Sequence, residues 1–496
     1  MNGILKRLPT DIQNFENIRE IELKKIIEMK KMNFMMTAAV GALMLTACTQ
    51  GEELISEAVP QPVEEEMPIG FDTYINSSSS VQTRAYSAGL FTSTNLQTDG
   101  FGVFAYQHTT PGTFSKPNFM FNQQVSYESS AWTYTPLKYW PNETTNDSKT
   151  GNDATSANTN YLSFFAYAPY KTTVSDKTSG LDLNDGKVYG ATATTQVSYG
   201  ITEIVGKDDT GAPTITYKVN PNVAEAEDLL WSTAPLSGLN YTAVNGAEIG
   251  VSSGLPLINL VKPDTHTKIK FLFQHALTAL RMDLNLAVDQ LTKGGTLAEG
   301  TTVKVNSITL APKGATPTMG FAMEGKLTLN NTSANTPLWG PATGEDPLSK
   351  GSITIKPTPG AGEVQMNSGL TAITNSTTLP LLVYGTAAVA ADPEYSIEAE
   401  PAHDALMVIP VYDSSDDFIV TVTIDYDIET SDETHYGTGG KVTVTNVISK
   451  DVTLKSFRAG RLYNLHLVLG LTSVKIDAEA QDWAVDEQTV DLPRNL

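Results

Sequence analysis

The sequence predicts an all-β protein made of two tandem antiparallel β-sandwich domains. Three observations lead to this prediction. Apolar and polar residues alternate along many short runs, which is the period of a strand with one buried face. Charged residues make up only 18% of the chain, while Thr, Ser, Asn and Gly, which suit strands and turns, fill their place. Helical periodicity is scarce, and only residues 222–231 and 285–291 favour a couple of helical turns.

The strand pattern is clearest in runs from both halves of the chain. Residues 101–106 and 161–167 form such runs in the first half. In the second half the apolar positions that share one face are Ile269, Phe271, Phe273 and His275; Phe418, Val420, Val422, Ile424 and Tyr426; and Val474, Ile476, Ala478 and Ala480. Loops rich in Gly, Pro, Asn and Asp separate these short strands, which favours a sandwich over a parallel α/β sheet.

The length of 496 residues is too great for one ordinary core and fits two β domains of about 200 residues each. A Pro-containing stretch at residues 254–268 precedes a new series of strands, and we place the domain boundary there. The prediction is therefore an N-terminal β-sandwich over residues 68–262 and a C-terminal β-sandwich over residues 263–496. No repeat of short fixed period is visible, which argues against solenoids and propellers.

The chain is strongly acidic, with a formal net charge of −22. Residues 1–47 carry seven Lys and Arg against five Asp and Glu, so the chain from Cys48 onward carries −24. An acidic body repels phosphate backbones, so we expect no nucleic-acid partner. The charge is interpreted as keeping an exported β protein soluble and as preventing the exposed strand edges of different molecules from pairing.

Residues 29–47 have the features of a lipoprotein signal peptide. A basic pair and a largely apolar stretch too short to span a bilayer lead to Leu45-Thr46-Ala47-Cys48, which resembles a lipobox. This predicts a lipid on Cys48. Cys48 is also the only cysteine, which excludes a disulfide framework and thiolate metal clusters.

The segments on either side of the signal peptide are not expected to belong to the folded body. Residues 1–28 are a possible mis-assigned N-terminal extension, because Met29 would begin a signal of ordinary length. Residues 48–67 are rich in Glu and Pro without periodicity, which predicts a flexible acidic tether between the lipid and the fold.

The chain shows no local motif for catalysis, cofactor binding or metal binding, and we expect no enzyme. No two of the six histidines lie three to five residues apart, so structural roles are expected for His108, His266, His275, His403, His435 and His466. The acidic groups at 208–209, 416–417 and 425–427 lack calcium-loop spacing and are interpreted as solvated loops or strand edges. A carboxylate pair for glycoside hydrolysis needs only spatial proximity, so a hydrolase stays an open alternative.

Residues 68–76 predict a strand with Ile69, Phe71 and Ile75 on one face. Four serines follow, and then Arg84, the first basic residue after the signal peptide. Protease cleavage needs an extended and accessible backbone, so the bond between Arg84 and Ala85 is a candidate processing site. An ordinary loop arginine is the alternative.

Several segments in order resemble the fimbrillin family of Bacteroidetes-type (type V) pilus subunits. WTYTPLKYWP at 132–141 and LSFFAYAP at 162–169 resemble the signature W-x-Y-x-P-x-K-Y-W-P followed by L-x-F-F-A-Y-x-P. The later family-like segments are DLLW at 228–231, FLFQHAL at 271–277, GRLYNL at 460–465 and the pair Asp482-Trp483. With the N-terminal strand, the resemblance covers about residues 68 to 484.

The resemblance implies transthyretin-like β-sandwiches and a structural or adhesive subunit of a cell-surface fimbria. Such a precursor reaches the cell outer membrane through the lipid on Cys48, and an Arg-specific protease then cuts between Arg84 and Ala85. The displaced strand is the one that carries Ile69, Phe71 and Ile75.

Another pilus subunit then fills the vacated groove with a strand of its own, which generates a head-to-tail polymer in the extracellular fimbrium. The donor strand implied for this chain is its C-terminal segment, with Val474, Ile476 and Ala478. The resemblance leaves open whether the subunit belongs to the stalk, the tip or the anchor.

A second class also stays open: a monomeric outer-membrane-anchored lipoprotein that binds glycans. Such a protein would be expected to expose Trp or Tyr platforms. Trp132, Trp140 and Trp231 fall inside the family-like segments and are expected in the core instead.

Overall fold

The structure is a computed structural model that describes residues 66–75, 93–141, 160–235, 252–286, 300–342, 351–366, 379–380, 405–411, 417–469 and 474–482, apart from residues 176, 178, 184, 191–194, 206, 264–265, 315–318 and 362. The chain divides into two units, Met1–Glu64 and Glu65–Leu496, and every described residue belongs to the second. The predicted signal peptide, Cys48 and the candidate cleavage site Arg84–Ala85 lie outside the described residues.

Most of the regular secondary structure in the described residues is β-strand. In chain order the earlier strands are β1 (Phe71–Ile75), β2 (Phe101–His108), β3 (Met120–Glu128), β4 (Ala131–Thr133), β5 (Tyr161–Ala168), β6 (Thr173–Val174), β7 (Gly180–Asp182), β8 (Val188–Tyr189), β9 (Gly200–Ile204), β10 (Thr214–Lys218), β11 (Leu230–Thr233), β12 (Leu257–Leu260) and β13 (Ile269–His275). The later strands are β14 (Thr278–Leu286), β15 (Thr301–Pro312), β16 (Gly320–Ala322), β17 (Glu324–Thr328), β18 (Leu338–Gly340), β19 (Ile353–Lys356), β20 (Val364–Gln365), β21 (Leu379–Pro380), β22 (Leu406–Val411), β23 (Phe418–Ser431), β24 (Lys441–Leu454), β25 (Arg461–Leu469) and β26 (Val474–Asp482). The described helical elements are α1 (Ser93–Asp99), α2 (Glu433–Tyr436) and a 3-10 helix at Val223–Glu225. The all-β prediction is confirmed.

Five sheets organise these strands. The largest has the order β1-β13-β11-β5-β2-β3-β4, with β12 beside β5, and the next has the order β16-β22-β14-β25-β26, with β21 beside β14. The smaller sheets have the orders β20-β19-β15-β23-β24, β18-β17-β10-β9 and β6-β7-β8. The sequence predicted antiparallel sheets, but the observed pairing is mixed. Strand β1 runs parallel to β13, and β14 runs parallel to β25.

The division between the sheets does not fall at the predicted boundary between residues 262 and 263. Strand β13 was expected to open the C-terminal domain, but it lies in the first sheet between β1 and β11. The chain enters the next large sheet only at β14, after Ala276 and Leu277, both of which are fully buried. A junction of two buried apolar residues leaves no Gly, Pro or polar linker for a sequence pattern to reveal.

The central strands β2 and β5 of the first sheet are buried on both faces, and their alternating side chains enter two different cores. Phe101 and Val103 of β2 belong to a core with the residues of β1, whereas Phe104 and Tyr106 belong to a second core. The second core continues into the strands of the other large sheet, as far as Leu469. Strand β5, buried at all eight residues, is consistent with its continuous apolar sequence.

The predicted helical segments are wrong in type or lie outside the described residues. Residues 222–231 contain only the short 3-10 helix and the start of β11, and residues 285–286 end β14. Helix α1 was not predicted, because its sequence STNLQTD buries only Leu96. It ends at Gly100, which has a positive φ of 69°, and a Cβ there would lie 2.6 Å from the Val125 carbonyl oxygen.

Candidate functional site

The segment from Met67 to Ile75 lies at one end of the first sheet, where the sequence predicted a removable strand. Its C-terminal part, β1, pairs in parallel with β13, from Phe71 opposite Ile269 to Ile75 opposite Phe273. The Ile269 N–H donates to the Gly70 carbonyl at 2.8 Å. Strand β13 is therefore one wall of the site.

The segment 138–140 forms the opposite wall. The Ile69 N–H donates to the Lys138 carbonyl and the Trp140 N–H donates to the Met67 carbonyl, each at 2.9 Å. The Tyr134 hydroxyl donates to the Ile69 carbonyl at 2.8 Å. The strand thus bonds to this wall through its first residues and to β13 through its later ones.

Phe71 is the central side chain of this strand, and it is 1% exposed. Four aromatic rings surround it, and the distances between ring centroids are 5.2 Å to Tyr134, 5.7 Å to Phe271, 6.2 Å to Phe164 and 6.3 Å to Phe101. The Phe271 ring is stacked and the Phe101 and Phe164 rings are edge-on, which are the favourable geometries for aromatic pairs. We call this set of four rings the Phe71 pocket.

The other residues predicted on the inner face of the strand also contact this core. Ile69 is fully buried and Ile75 is partly buried, and both pack in the same core as Phe71. Met67, which the sequence pattern did not include, is also buried in this core. The inner face is therefore buried from Met67 to Phe71 and partly buried at Ile75.

Burial raises the pKa of Tyr134 to about 12, because ionising the phenol would place a charge in an apolar site. The hydrogen bond with the Lys138 backbone favours the charged form and offsets part of that rise. The neutral phenol keeps the proton with which it donates to Ile69 at neutral pH. Tyr134 thus links one wall to the main chain of the strand.

The predicted donor strand is placed as an edge strand of its own sheet. Strand β26 pairs antiparallel with β25, and Val474, Ile476 and Ala478 lie opposite Leu469, Leu467 and Leu465. These three leucines of β25 are buried. Donation of this segment to another molecule requires it to leave β25. Residues 483–496 lie outside the described residues.

Two of the family-like segments meet at a buried hydrogen bond between Asp228 and His275. The Asp228 carboxylate oxygen lies 2.6 Å from Nδ1 of His275, and both side chains are at most 3% exposed. The other carboxylate oxygen of Asp228 accepts from the Leu229 N–H at 2.8 Å. Since His275 ends β13 just before the junction with β14, this pair fixes the main chain where the two large sheets meet.

Three of the remaining predicted histidines have structural partners. His466 pairs with Asp283 across β14 and β25, with 2.6 Å between Nδ1 and the carboxylate oxygen. His108 contacts the buried Ser163 hydroxyl at 2.9 Å, and His435 contacts Asp432. His403 lies outside the described residues.

The described residues contain no group of three or more His, Cys, Asp or Glu side chains arranged to hold a metal ion. Of the predicted acidic groups, Asp208 pairs with Lys116 on the surface, and Asp425 and Asp427 accept from polar side chains of neighbouring strands. Among the helices described, none has the length and apolar character needed to cross a membrane.

Sequence reasoning missed the roles of Tyr134 and the 138–140 wall. These residues come from the segment 132–141, which was informative only as a family-like motif. The structure shows that this motif, the motif at 162–169 and the motif at 271–277 each contribute a ring to the Phe71 pocket. These three separate motifs all contact the strand that carries Phe71, and this shared contact is the signal that links them to the site.

Comparison with curated proteins gives one informative relative. The chain is 31% identical over 185 residues to the fimbrium subunit Fim1C of Phocaeicola vulgatus. The match covers 36% of this chain and 37% of Fim1C, so the chain spans well under half the length of that relative. No protein-family profile matches the chain.

Solved structures give more distant likenesses. A fimbrial protein from Bacteroides vulgatus superposes with a TM-score of 0.47 at 19% identity, covering 84% of this chain and 99% of that chain. A putative cell adhesion protein from Bacteroides uniformis superposes with a TM-score of 0.33 at 14% identity, covering 84% and 99%. Both TM-scores lie below 0.5, so neither likeness determines the role of this chain.

Proposed function

We propose that this chain is a structural or adhesive subunit of a cell-surface fimbria, without enzymatic activity. In this proposal it is exported as a lipoprotein on Cys48, cut between Arg84 and Ala85, and assembled by accepting a strand from another subunit. The observation that carries the proposal is the position of Met67–Ile75: an edge strand with a buried inner face, bonded to a different wall at each end. The similarity to Fim1C supports it.

Removal of this strand leaves a groove that is unstable when empty. Fully burying one large apolar side chain stabilises by about 1.5–3 kcal/mol, so uncovering the places of Ile69 and Phe71 costs about 3–6 kcal/mol. The hydrogen-bonding groups of Lys138, Trp140 and Ile269 lose their main-chain partners at the same time, and each bond contributes about 0.5–1.5 kcal/mol net. A strand from another molecule restores both contributions.

The exchange converts a monomer into a filament-forming unit. The groove receives a strand at one end of the chain, while the C-terminal segment around Val474–Asp482 is the proposed strand to give. Because the giving and the receiving surfaces differ, the contact is head-to-tail and does not close on itself. The lipid on Cys48 would be released together with the strand, since both precede Arg84.

The proteolytic step is tested by mass spectrometry of the N-terminus on purified surface material. We expect Ala85 as the mature end of the wild type and lipidated Cys48 as the end of Arg84→Ala. Gln82→Ala is the matched control, because it alters the same segment and keeps the arginine. Lipidated Cys48 as the only end of the wild-type protein would contradict processing.

The assembly step is tested by deleting residues 471–496. Loss of detergent-resistant ladders from surface material would support donation by the C-terminal segment. Ladders that persist in the deletion variant would contradict it.

The glycan-binding alternative receives limited support from one cleft. Trp140 and Trp231 are buried and Trp132 packs against Phe101, so none of them is a free platform. A cleft of about 560 Å³ does present the exposed Tyr199 beside Asn222 and Glu363. Binding of oligosaccharides that is lost in Tyr199→Ala would favour an adhesive role for this surface.

A further inference from the structure

The Phe71 pocket distinguishes among strands, and this inference rests on the function proposed above. Any strand that replaces Met67–Ile75 must place a side chain among the rings of Tyr134, Phe271, Phe164 and Phe101. An aromatic side chain fills this space with stacked and edge-on contacts, whereas an aliphatic one leaves part of it empty. Both the lost ring contacts and the residual cavity weaken the binding of the aliphatic strand.

The C-terminal segment of this chain does not carry the required residue. After residue 470 its only aromatic is Trp483. A parallel alignment that places Trp483 at the position of Phe71 puts Gln481 at the position of Ile69 and Glu487 at that of Ile75. Polar and charged groups would then enter an apolar core without partners of their own, which is strongly unfavourable.

The best aliphatic alignment places Ile476 at the position of Phe71 and Val474 at that of Ile69. It keeps an acidic residue opposite Lys270, because Asp477 takes the position of Asp72, which pairs with Lys270 in β13. Charge therefore does not disfavour binding of this segment. The Phe71 pocket disfavours it, because an Ile side chain would replace the Phe side chain there.

Strand β26 pairs with β25 along its whole length, from Leu469 opposite Val474 to Arg461 opposite Asp482. This chain gives up those bonds whichever acceptor receives its C-terminal segment. The side chain offered to the Phe71 pocket is therefore what distinguishes a second copy of this chain from another subunit.

We propose that the groove selects a strand with an aromatic side chain at the position of Phe71, so that its occupant is a different subunit and not a second copy of this chain. The recognition signature on that partner is an aliphatic residue followed two positions later by an aromatic one, as in Ile69 and Phe71. This chain is then a member of a heterotypic assembly.

The preference of the pocket is tested in the intact chain, where β1 itself is the occupant. Hydrogen exchange of the segment 67–75 is measured by mass spectrometry in wild type, Phe71→Ile and Ile69→Val, the two replacements that the C-terminal segment would bring. We expect exchange at least about 10-fold faster in Phe71→Ile, and a smaller change in Ile69→Val. Equal exchange in Phe71→Ile and wild type would overturn the proposal.

The choice of partner is tested by producing the full chain as the sole fimbrial subunit of otherwise fimbria-free cells. Absence of detergent-resistant ladders supports the heterotypic assignment, and ladders of this chain alone overturn it. The exchange measurement does not depend on assembly. A wild-type protein that keeps Cys48 as its only mature end would therefore contradict the proposed function while leaving the pocket preference measured.

Discussion

Phe71→Ala should detach β1 without unfolding the rest of the molecule. The substitution removes a fully buried ring from among four others. Buried Phe→Ala changes cost about 3–5 kcal/mol, and we take the lower end because an edge strand can partly collapse into the space. About 3 kcal/mol corresponds to an opening equilibrium shifted by roughly 100-fold, since each 1.4 kcal/mol is tenfold.

The assay is hydrogen exchange resolved by mass spectrometry, read on the peptide that contains residues 67–75 and compared with a peptide from the interior strand β5. In Phe71→Ala we expect exchange of the first peptide to rise about 100-fold while that of β5 stays unchanged. Thr73→Ala is the control, because Thr73 lies on the same strand but is only partly buried, and its effect should be less than about fivefold. Similar rates in the two variants, or acceleration in β5 as well, would refute the idea of an independently detachable strand.

Three further outcomes follow from the contacts. The pKa of Tyr134, about 12 in the folded chain against 10 when exposed, means that its contribution is complete below pH 10 and is lost as the pH rises towards 12; the melting temperature of the wild type should therefore fall towards that of Tyr134→Phe between pH 10 and 12, and a constant difference would contradict this. Asp228→Ala should destabilise by about 1–3 kcal/mol, because it leaves the buried Nδ1 of His275 without its hydrogen-bond partner, whereas Asp208→Ala, at a surface pair, should cost less than about 1 kcal/mol in the same denaturation experiment. Gly100→Ala should cost about 1–3 kcal/mol, since it combines a positive φ with a 2.6 Å contact to backbone, and a melting temperature equal to that of the wild type would show that the turn can rearrange.

Period-two alternation predicted individual strands well, because the apolar residues of such a pattern lie on the buried face of the sheet. The predicted inner face of the run 418–426 is buried at every one of its five positions, from Phe418 to Tyr426. The same holds for Ile269, Phe271 and Phe273 of β13. The burial of these residues could be predicted without knowing which strands lie beside them.

The alternation within a strand does not indicate which distant strands pair with it. Strand β13 has the pattern of any half-buried strand, and nothing in its residues indicates that its partners are β1 and β11 instead of β14. The parallel direction of β1 relative to β13 is also a property of the pair. For this reason the place of β13 in the first sheet was not predicted, and neither wall of the candidate groove was identified from the sequence.

The short connection at Ala276 and Leu277 has a mechanical consequence. Strand β13 borders the groove, and only these two residues separate it from β14, which is bonded along its length to β25 and through it to β26. In the assembly proposed above, tension applied to a strand held in the groove would therefore reach β26 as shear along paired strands, with only two connecting residues to extend first. A filament of such subunits would extend little under load. The contact between subunits would then break before any single subunit unfolds.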